Sequence, residues 1–130
     1  AIRKCLWRSG LTGKLISWVC AHGTGTIAND ALEAKTIHET LSWQPLMSSV
    51  KGAFGHAQGA AAGLNAAAAI WSLNNQCIPA TTNTTDIDPT CACTRIALKC
   101  HKSSVEHVLS SAFGFGGVNS VAVFGRLRDE

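Results

Sequence analysis

The chain has 130 residues, of which 46% are hydrophobic and 15% are charged, and its formal net charge is +3. This length allows one domain at most, or a part of one. Typical domains carry roughly 25% charged residues, so the composition favours a piece that packs against another chain or half-domain. The basic residues are scattered apart from a small cluster of Arg3, Lys4 and Arg8. The sequence lacks the basic stripe interleaved with aromatics that is typical of nucleic-acid binding.

The sequence shows no sign of a membrane or secreted protein. Its longest apolar stretch, residues 60–73, is interrupted by Asn65 and Ser72 and is shorter than the ~20 residues that a membrane helix needs. No signal peptide is apparent, and the six cysteines form no secreted framework, so we expect reduced thiols and a cytoplasmic location. These cysteines are Cys5, Cys20, Cys77, Cys91, Cys93 and Cys100.

One group of side chains after the middle of the chain resembles a set of four zinc ligands. It combines Cys91, Cys93, Cys100 and His101, but this spacing fits no common zinc pattern. We therefore expect no metal there, and whether these residues bind anything stays open.

Two units of a strand followed by a glycine-containing turn are predicted in the first half of the chain. Residues 15–21 form a short apolar strand, typical of a buried parallel sheet, and lead into a hydroxyl-rich turn at 22–26. Residues 46–51 form the second strand, and 52–56 form the second turn.

Two helices are predicted, one after each turn. The first is capped by Asn29 or Asp30 and runs to about Leu41. The second, residues 58–73, consists largely of alanine and glycine. It has no polar face beyond Asn65, so we expect it to be buried nearly all round.

The remainder of the chain is predicted to consist of a loop and short strands. A threonine-rich loop covers residues 79–89, and strands are predicted at 95–98, 105–112 and 120–126. A glycine-rich turn at 113–117 joins the last two strands. The order strand, helix, strand, helix and then strands predicts an α/β layer with a mainly parallel sheet.

Two histidines occupy equivalent positions after the two predicted parallel strands. His22 follows the first strand, and His56 follows the second. Ligands bind at the carboxyl ends of strands in open α/β sheets, so we expect both imidazoles at one edge. Lys51 ends the second strand and can reach the same region, where Glu33, one helical turn past Asp30, could pair with it. Neutral imidazole N–H groups suit a reaction that develops negative charge on an oxygen.

Each of these features also has an ordinary structural explanation. A single histidine after a strand is more often structural than catalytic, Lys51 alone would be a surface lysine, and Glu33 alone would be a solvated helix charge. Gly114, Gly116 and Gly117 can expose backbone N–H donors for an oxyanion, or they can simply connect two strands tightly. No nucleophile with a base at motif spacing occurs within the chain.

Five short motifs, in family order and at family spacing, resemble those of the β-ketoacyl-acyl-carrier-protein synthases. Together they cover residues 15–126, which makes the resemblance far more specific than any single glycine pattern. The motifs are AHGTGT at 21–26 with Asp30 and Glu33 after it, SVKGAFGH at 49–56, GAAAG at 59–63, IPATTN at 78–83 and FGFGGVN at 113–119.

The resemblance implies a thiolase-like α/β fold, of which residues 1–130 form the carboxyl-terminal half. It implies an acyltransferase, which condenses an acyl thioester with malonyl-acyl-carrier protein in fatty-acid or polyketide synthesis and releases carbon dioxide without a metal or cofactor. By motif position, His22 and His56 hold the malonyl thioester oxygen and stabilise the enolate. Lys51 and Glu33 organise the charges and waters of the site.

Further roles follow from the same resemblance. Phe115 matches the family's gating phenylalanine, whose backbone N–H also completes an oxyanion hole, with Gly114 and Gly116 beside it. Thr24 and Thr26 are expected to bind substrate. The resemblance places the nucleophilic cysteine on a first half that this chain does not contain, and Cys20, which lies within a strand, does not fit that role.

The isolated chain is therefore expected to be an incomplete enzyme. Its expected partners are acyl-carrier protein with phosphopantetheine-bound acyl and malonyl groups, the missing amino-terminal half or a partner subunit, and a second copy in a dimer. We expect no nucleic acid and no membrane. Two alternatives stay open, namely a non-catalytic partner similar to chain-length factors and an inactive fragment. The sequence decides neither the acyl chain length nor the pathway.

Overall fold

The computed structural model describes residues 1–127, in which strands and helices alternate through most of the chain. The α-helices are α1 (Ile2–Ser9), α2 (Ile27–Thr40), α3 (Lys51–Phe54) and α4 (Ala61–Asn75). The strands are β1 (Trp18–Cys20), β2 (Leu46–Ser48), β3 (Cys77–Ile78), β4 (Arg95–Ile96), β5 (His101–Lys102), β6 (His107–Gly114) and β7 (Val118–Gly125). Short 3-10 helices cover Gly13–Leu15, Gln58–Ala60, Pro89–Cys91 and Phe115–Gly117.

Five strands form one sheet, in the order β4-β2-β1-β6-β7. β1 runs parallel to both β2 and β6, and β2 runs parallel to β4, whereas β7 folds back antiparallel to β6. β3 and β5 form a separate antiparallel pair. The prediction of a mainly parallel α/β sheet is therefore confirmed. The central strand β1 is buried on both faces, as its uninterrupted apolar sequence predicts.

The two faces of the sheet carry two separate cores. Val19 packs on one face with Ala34 and Ile37 of α2. Trp18, which points to the other face because side chains alternate along a strand, packs with Leu73 of α4. Helix α2, joined by Ile2 and Leu6 of α1, thus covers one face, and α4 covers the other. The carboxyl end of β1 lies between them.

The strand register determines which residues meet at that end. Cys20 pairs with Ser48 of β2 and with Ser110 of β6. The residues that follow these strands therefore leave the sheet side by side, and His22 emerges close to the ends of both neighbouring strands.

Several predicted boundaries are wrong by a few residues. Leu15 belongs to a 3-10 helix, so β1 is shorter than predicted. Thr26, rather than Asn29 or Asp30, is the residue before α2, and no side chain caps that helix. Lys51 begins α3 instead of ending β2, because the backbone already turns at Val50 (φ −82°, ψ −4°).

The expectation that the alanine-rich helix is buried nearly all round is also wrong. α4 buries one face, which includes Asn65, Ala69 and Leu73. The opposite face is open, with Ile70 51% and Trp71 48% exposed. Among residues 1–127 this helix packs against the main sheet and against β3, and these contacts leave the side that carries Ile70 and Trp71 half exposed.

The structure changes the interpretation of the cysteines. Cys77 and Cys100 form a disulfide, so the expectation of reduced thiols is wrong for this pair. Within the described part of the chain no group of three or more histidine, cysteine or acidic side chains is arranged to hold a metal. No helix among the described residues is long and apolar enough to cross a membrane.

Candidate active site

The backbone after β1 is fixed by the carboxylate of Glu33. The N–H of His22 donates to Oε1 at 2.9 Å, and the N–H of Gly23 donates to Oε2 at 2.8 Å. The hydroxyl of Ser111 donates to the same Oε1 at 2.5 Å. Glu33 is only 3% exposed, so these three hydrogen bonds satisfy a buried carboxylate whose desolvation would otherwise be costly. The acid predicted to organise charge therefore also holds the turn in place.

Gly23 is required by this turn for a steric reason. Its φ of +38° lies in the left-handed region, and an added Cβ would lie 2.5 Å from the Cβ of Ser49. Ser49 in turn donates from its hydroxyl to the carbonyl of Gly23 at 2.8 Å. The glycine after His22 thus permits the ends of β1 and β2 to approach closely.

The two predicted histidines meet at this edge of the sheet. Their ring centroids lie 5.5 Å apart in an edge-to-face arrangement. His22 is buried, with 6% of its surface exposed, whereas His56 is exposed. The backbone N–H of Gln58 donates to Nδ1 of His56 at 3.1 Å, so the neutral ring of His56 carries its proton on Nε2.

Lys51 lies at the same site but does not pair with Glu33. Its side chain is buried, and Nζ has no hydrogen-bond or ion-pair partner among residues 1–127. The predicted Lys51–Glu33 pair is therefore wrong as a direct contact, because the carboxylate is already bound to the backbone of His22 and Gly23 and to Ser111. The two charges still interact through space.

Burial lowers the pKa of both Lys51 and His22, and nearby positive charge lowers that of His22 further. Burial lowers the pKa of Lys51 from its ordinary 10.5, and the charge of Glu33 acts in the opposite direction. Burial is also the main reason that the pKa of His22 falls below 6.5, followed by the charge of Lys51 and the proximity of His56. His22 is consequently neutral at pH 7, the form in which one ring nitrogen donates and the other accepts.

A cavity of about 430 Å³ opens beside these residues. Thr24 and Thr26, which were expected to bind substrate, line it, and their hydroxyl oxygens lie 2.8 Å apart. Lys51 and His56 line it as well. The lining of the cavity therefore includes hydroxyl and imidazole groups that can donate to a ligand's oxygens, together with the carboxylates of Asp30, Asp86 and Asp88.

Phe115, the predicted gate, lies in the glycine-rich turn between β6 and β7. Phe115 projects into solvent, fully exposed, and does not touch either histidine. The ring that contacts His22 is Phe113, with centroids 5.4 Å apart. Gly116, with φ of +78°, allows the tight turn between β6 and β7, and Gly114 is the last residue of β6.

Three residues at the site were missed from the sequence as functional residues. Ser111 and Phe113 lie two apart on β6, and a period of two does place them on one face of that strand. Asn65 is buried in α4 and donates to the backbone after β1. Its one signal in the sequence is that it is a polar residue within an apolar helix.

Cys20 is excluded as a nucleophile by its surroundings. It is completely buried, and burial raises the pKa of its thiol to about 12. A thiol attacks as the thiolate, which this environment suppresses.

Comparisons with known proteins point to one family. Residues 1–85 match the family described as β-ketoacyl synthase, C-terminal domain. The chain is 34% identical over 127 residues to 3-oxoacyl-[acyl-carrier-protein] synthase 2 of Synechocystis sp. (strain ATCC 27184 / PCC 6803 / Kazusa), an alignment that covers 95% of this chain and 30% of that protein. The chain thus spans about a third of the length of the curated relatives that it matches.

Solved structures give the same result. The chain superimposes on the ishigamide ketosynthase/chain length factor with a TM-score of 0.92 and 32% identity, covering 98% of this chain and 32% of that one. It also superimposes, with a TM-score of 0.91, on a chain of the structure described as a type II polyketide synthase acyl-carrier protein in complex with its ketosynthase bound to the hexaketide. In that alignment the identity is 25%, and it covers 98% of this chain and 32% of that chain.

Proposed function

Because this chain belongs to the β-ketoacyl synthase family and shares its thiolase-like fold, we propose that it supplies the extender-unit part of a condensing active site. The observation that carries this proposal is the edge-to-face pair of His22 and His56 at the carboxyl ends of neighbouring parallel strands. Residues 1–130 are proposed to be the carboxyl-terminal half of one catalytic domain.

The proposed reaction begins with malonyl-acyl-carrier protein. The imidazole N–H groups of His22 and His56 donate to the thioester carbonyl oxygen. When the carboxylate leaves as carbon dioxide, the electrons of the broken C–C bond form an enolate, whose oxygen the two donors stabilise. The enolate carbon then attacks an acyl group held on a cysteine, and the cysteine thiolate departs as the new C–C bond forms. That cysteine lies on a first half or a partner subunit outside this chain.

The neighbouring side chains have supporting roles in this proposal. Lys51 provides positive charge near the malonyl carboxylate and lowers the pKa of His22. Glu33 fixes the backbone of His22 and Gly23. Thr24 and Thr26, on the cavity wall, bind the carrier's pantetheine arm.

The glycine-rich turn is proposed to close the acyl side of the site. Phe115 acts as its gate and presents its backbone N–H to the acyl-enzyme oxyanion, and Gly114 and Gly116 permit its movement. Its full exposure in this chain leaves it free to contact a first half that carries the nucleophile.

The proposed partners follow from the same chemistry. Acyl-carrier protein delivers both acyl and malonyl groups, and a solved relative is a ketosynthase in complex with its acyl-carrier protein. The open face of α4, with Ile70 and Trp71, is proposed to pack against the first half of the domain, and the complete enzyme is proposed to be a cytoplasmic dimer. The pathway is fatty-acid or polyketide synthesis.

A second candidate function is that of a non-catalytic partner. It is favoured by the similarity to a structure described as a ketosynthase/chain length factor. The presence of His22, His56 and Lys51 together favours the catalytic alternative. The residue at the nucleophile position of the first half distinguishes the two, since a cysteine there supports catalysis and its replacement supports the partner function.

Decarboxylation of malonyl-acyl-carrier protein by the complete enzyme tests the proposal. We expect His56→Ala to slow carbon dioxide release by about 10²–10³-fold, the usual effect of removing one oxyanion donor. His38→Ala, which removes an exposed histidine of α2, is the matched control and should retain the original rate. An unchanged rate in His56→Ala would remove the assigned role. The purified chain alone should not produce β-ketoacyl product.

A further inference from the structure

Two buried, uncharged side chains lie directly behind His22, and we propose that they are positioning residues for its imidazole. They are Ser111 on β6 and Asn65 on α4, which together are called the His22 anchor below. The inference rests on the proposed function of His22 and adds residues to which no role has been given. Neither side chain touches the cavity, so neither is proposed to contact substrate.

Ser111 holds the amino side of His22. It is completely buried. Its hydroxyl accepts a hydrogen bond from the backbone N–H of His22 at 3.2 Å and donates its own proton to Oε1 of Glu33 at 2.5 Å. One hydroxyl therefore joins β6, α2 and the residue after β1, and it orients the carboxylate that holds the same N–H.

Asn65 holds the other end of the same peptide unit. Its Nδ2 donates to the carbonyl oxygen of Ala21 at 3.3 Å and to the carbonyl oxygen of Ser111 at 3.2 Å. It is 1% exposed and lies in a helix composed mainly of alanine. A polar side chain buried among apolar neighbours costs free energy unless it is hydrogen-bonded, and here both bonds go to the strand ends beside His22.

The two residues together fix one peptide plane. The carbonyl of Ala21 and the N–H of His22 belong to the same planar amide. Asn65 binds its oxygen, and Ser111 with Glu33 binds its nitrogen. A peptide held at both ends cannot rotate, so the direction in which the His22 side chain leaves the backbone is also held.

Precise placement of that side chain has kinetic consequences. Catalytic groups have to be held within about 0.5 Å of their productive geometry, and a misplacement of about 1 Å can cost on the order of 100-fold in rate. Loss of one end of the His22 anchor should therefore lower kcat for decarboxylation about 10-fold or more. KM for malonyl-acyl-carrier protein should change little, because the cavity wall formed by Thr24 and Thr26 is untouched.

Ser111→Ala in the complete enzyme is the principal test, and Ser110→Ala is its matched control. Both remove one buried hydroxyl from β6, but none of the side-chain hydrogen bonds found among residues 1–127 involves Ser110. Asn65→Ala tests the opposite end of the peptide. We expect kcat per folded molecule to fall in Ser111→Ala and in Asn65→Ala, and to stay at the original value in Ser110→Ala.

A second measurement does not depend on turnover. NMR titration of selectively ¹³C-labelled histidine reports the pKa of the His22 imidazole, which should rise towards 6.5 in Ser111→Ala because a loosened ring gains solvent, and should not change in Ser110→Ala. A purely structural role would lower the unfolding midpoint while leaving kcat per folded molecule and this titration unchanged, and that result would overturn the proposal.

The two measurements separate this inference from the proposed function. Absence of decarboxylation in the unmutated complete enzyme refutes the function. The His22 titration in Ser111→Ala, compared with Ser110→Ala, still decides whether the anchor positions the ring. Equal titrations in the two variants refute the anchor even if the enzyme is active.

Discussion

Replacement of Glu33 by glutamine should release the turn that carries His22. The carboxylate accepts from His22 N–H and the Ser111 hydroxyl on one oxygen and from Gly23 N–H on the other. Glutamine has only one acceptor oxygen, and its amide group is a donor. In either orientation of the amide, at least one backbone N–H at the turn faces another N–H.

The magnitude follows from the number and type of bonds that are lost. A hydrogen bond to a charged group contributes about 1.5–3 kcal/mol, and an unsatisfied buried donor costs about 1–3 kcal/mol. At least one charged bond is lost, and the others lose their charge assistance. We therefore expect Glu33→Gln to reduce the local stability of the turn by about 3 kcal/mol.

Amide hydrogen exchange in the complete enzyme measures this effect at the residues concerned. Each 1.4 kcal/mol is about tenfold in an equilibrium, so the His22 and Gly23 amides should exchange on the order of 100-fold faster in Glu33→Gln. Glu39→Gln is the matched control, because Glu39 lies on the same helix in an exposed 3.9 Å pair with Lys35 that contributes roughly 0.3–0.5 kcal/mol. Exchange within threefold of that control would refute the reasoning.

Three further predictions concern the titratable groups. Lys51→Met should raise the free energy of unfolding by about 1 kcal/mol, because it removes a buried ammonium without a partner among residues 1–127. Urea unfolding measures this change, with Lys35→Met as the surface control, and an unchanged midpoint for Lys51→Met would contradict the prediction. His22 should titrate below 6.5 by NMR, and Lys51→Met should raise its pKa, since the lysine charge helps to lower it. Because that pKa is lower in the folded state, His22 contributes stability that is present above pH 6.5 and lost as the pH falls through the folded-state pKa. Urea unfolding as a function of pH measures this loss, and the same pH dependence in His22→Ala as in the unmutated protein would contradict the prediction. In native protein Cys20 should resist iodoacetamide while the half-buried Cys5 reacts, because the thiol of Cys20, with its pKa raised to about 12, yields little thiolate. Mass spectrometry measures the labelling of each cysteine, and equal labelling of the two would contradict the burial of Cys20.

The sequence was sufficient to predict the edge at which the site lies. Local patterns identify the apolar strands and the glycine turns after them, and parallel strands necessarily align their carboxyl ends. This alignment predicts that His22 and His56 are neighbours, and their rings do meet. The end of β2 was less predictable, because the backbone turns at Val50 before the apolar pattern stops.

The contacts that hold the site could not be read from local patterns. Ser111 bonds to Glu33 across 78 residues of sequence, and Asn65 bonds to the Ser111 carbonyl across 46. These residues come into contact only because α2 and α4 pack on opposite faces of the sheet.

The sequence by itself therefore determined the family, the mainly parallel sheet and the shared position of the two histidines, because strand period, turn glycines and motif spacing are local properties. Only the tertiary structure decided that the carboxylate of Glu33 binds backbone N–H groups and not the ammonium of Lys51, and that the ring of Phe113 contacts His22. A buried carboxylate takes whichever donors the fold brings within reach, and that choice depends on residues far apart in the chain.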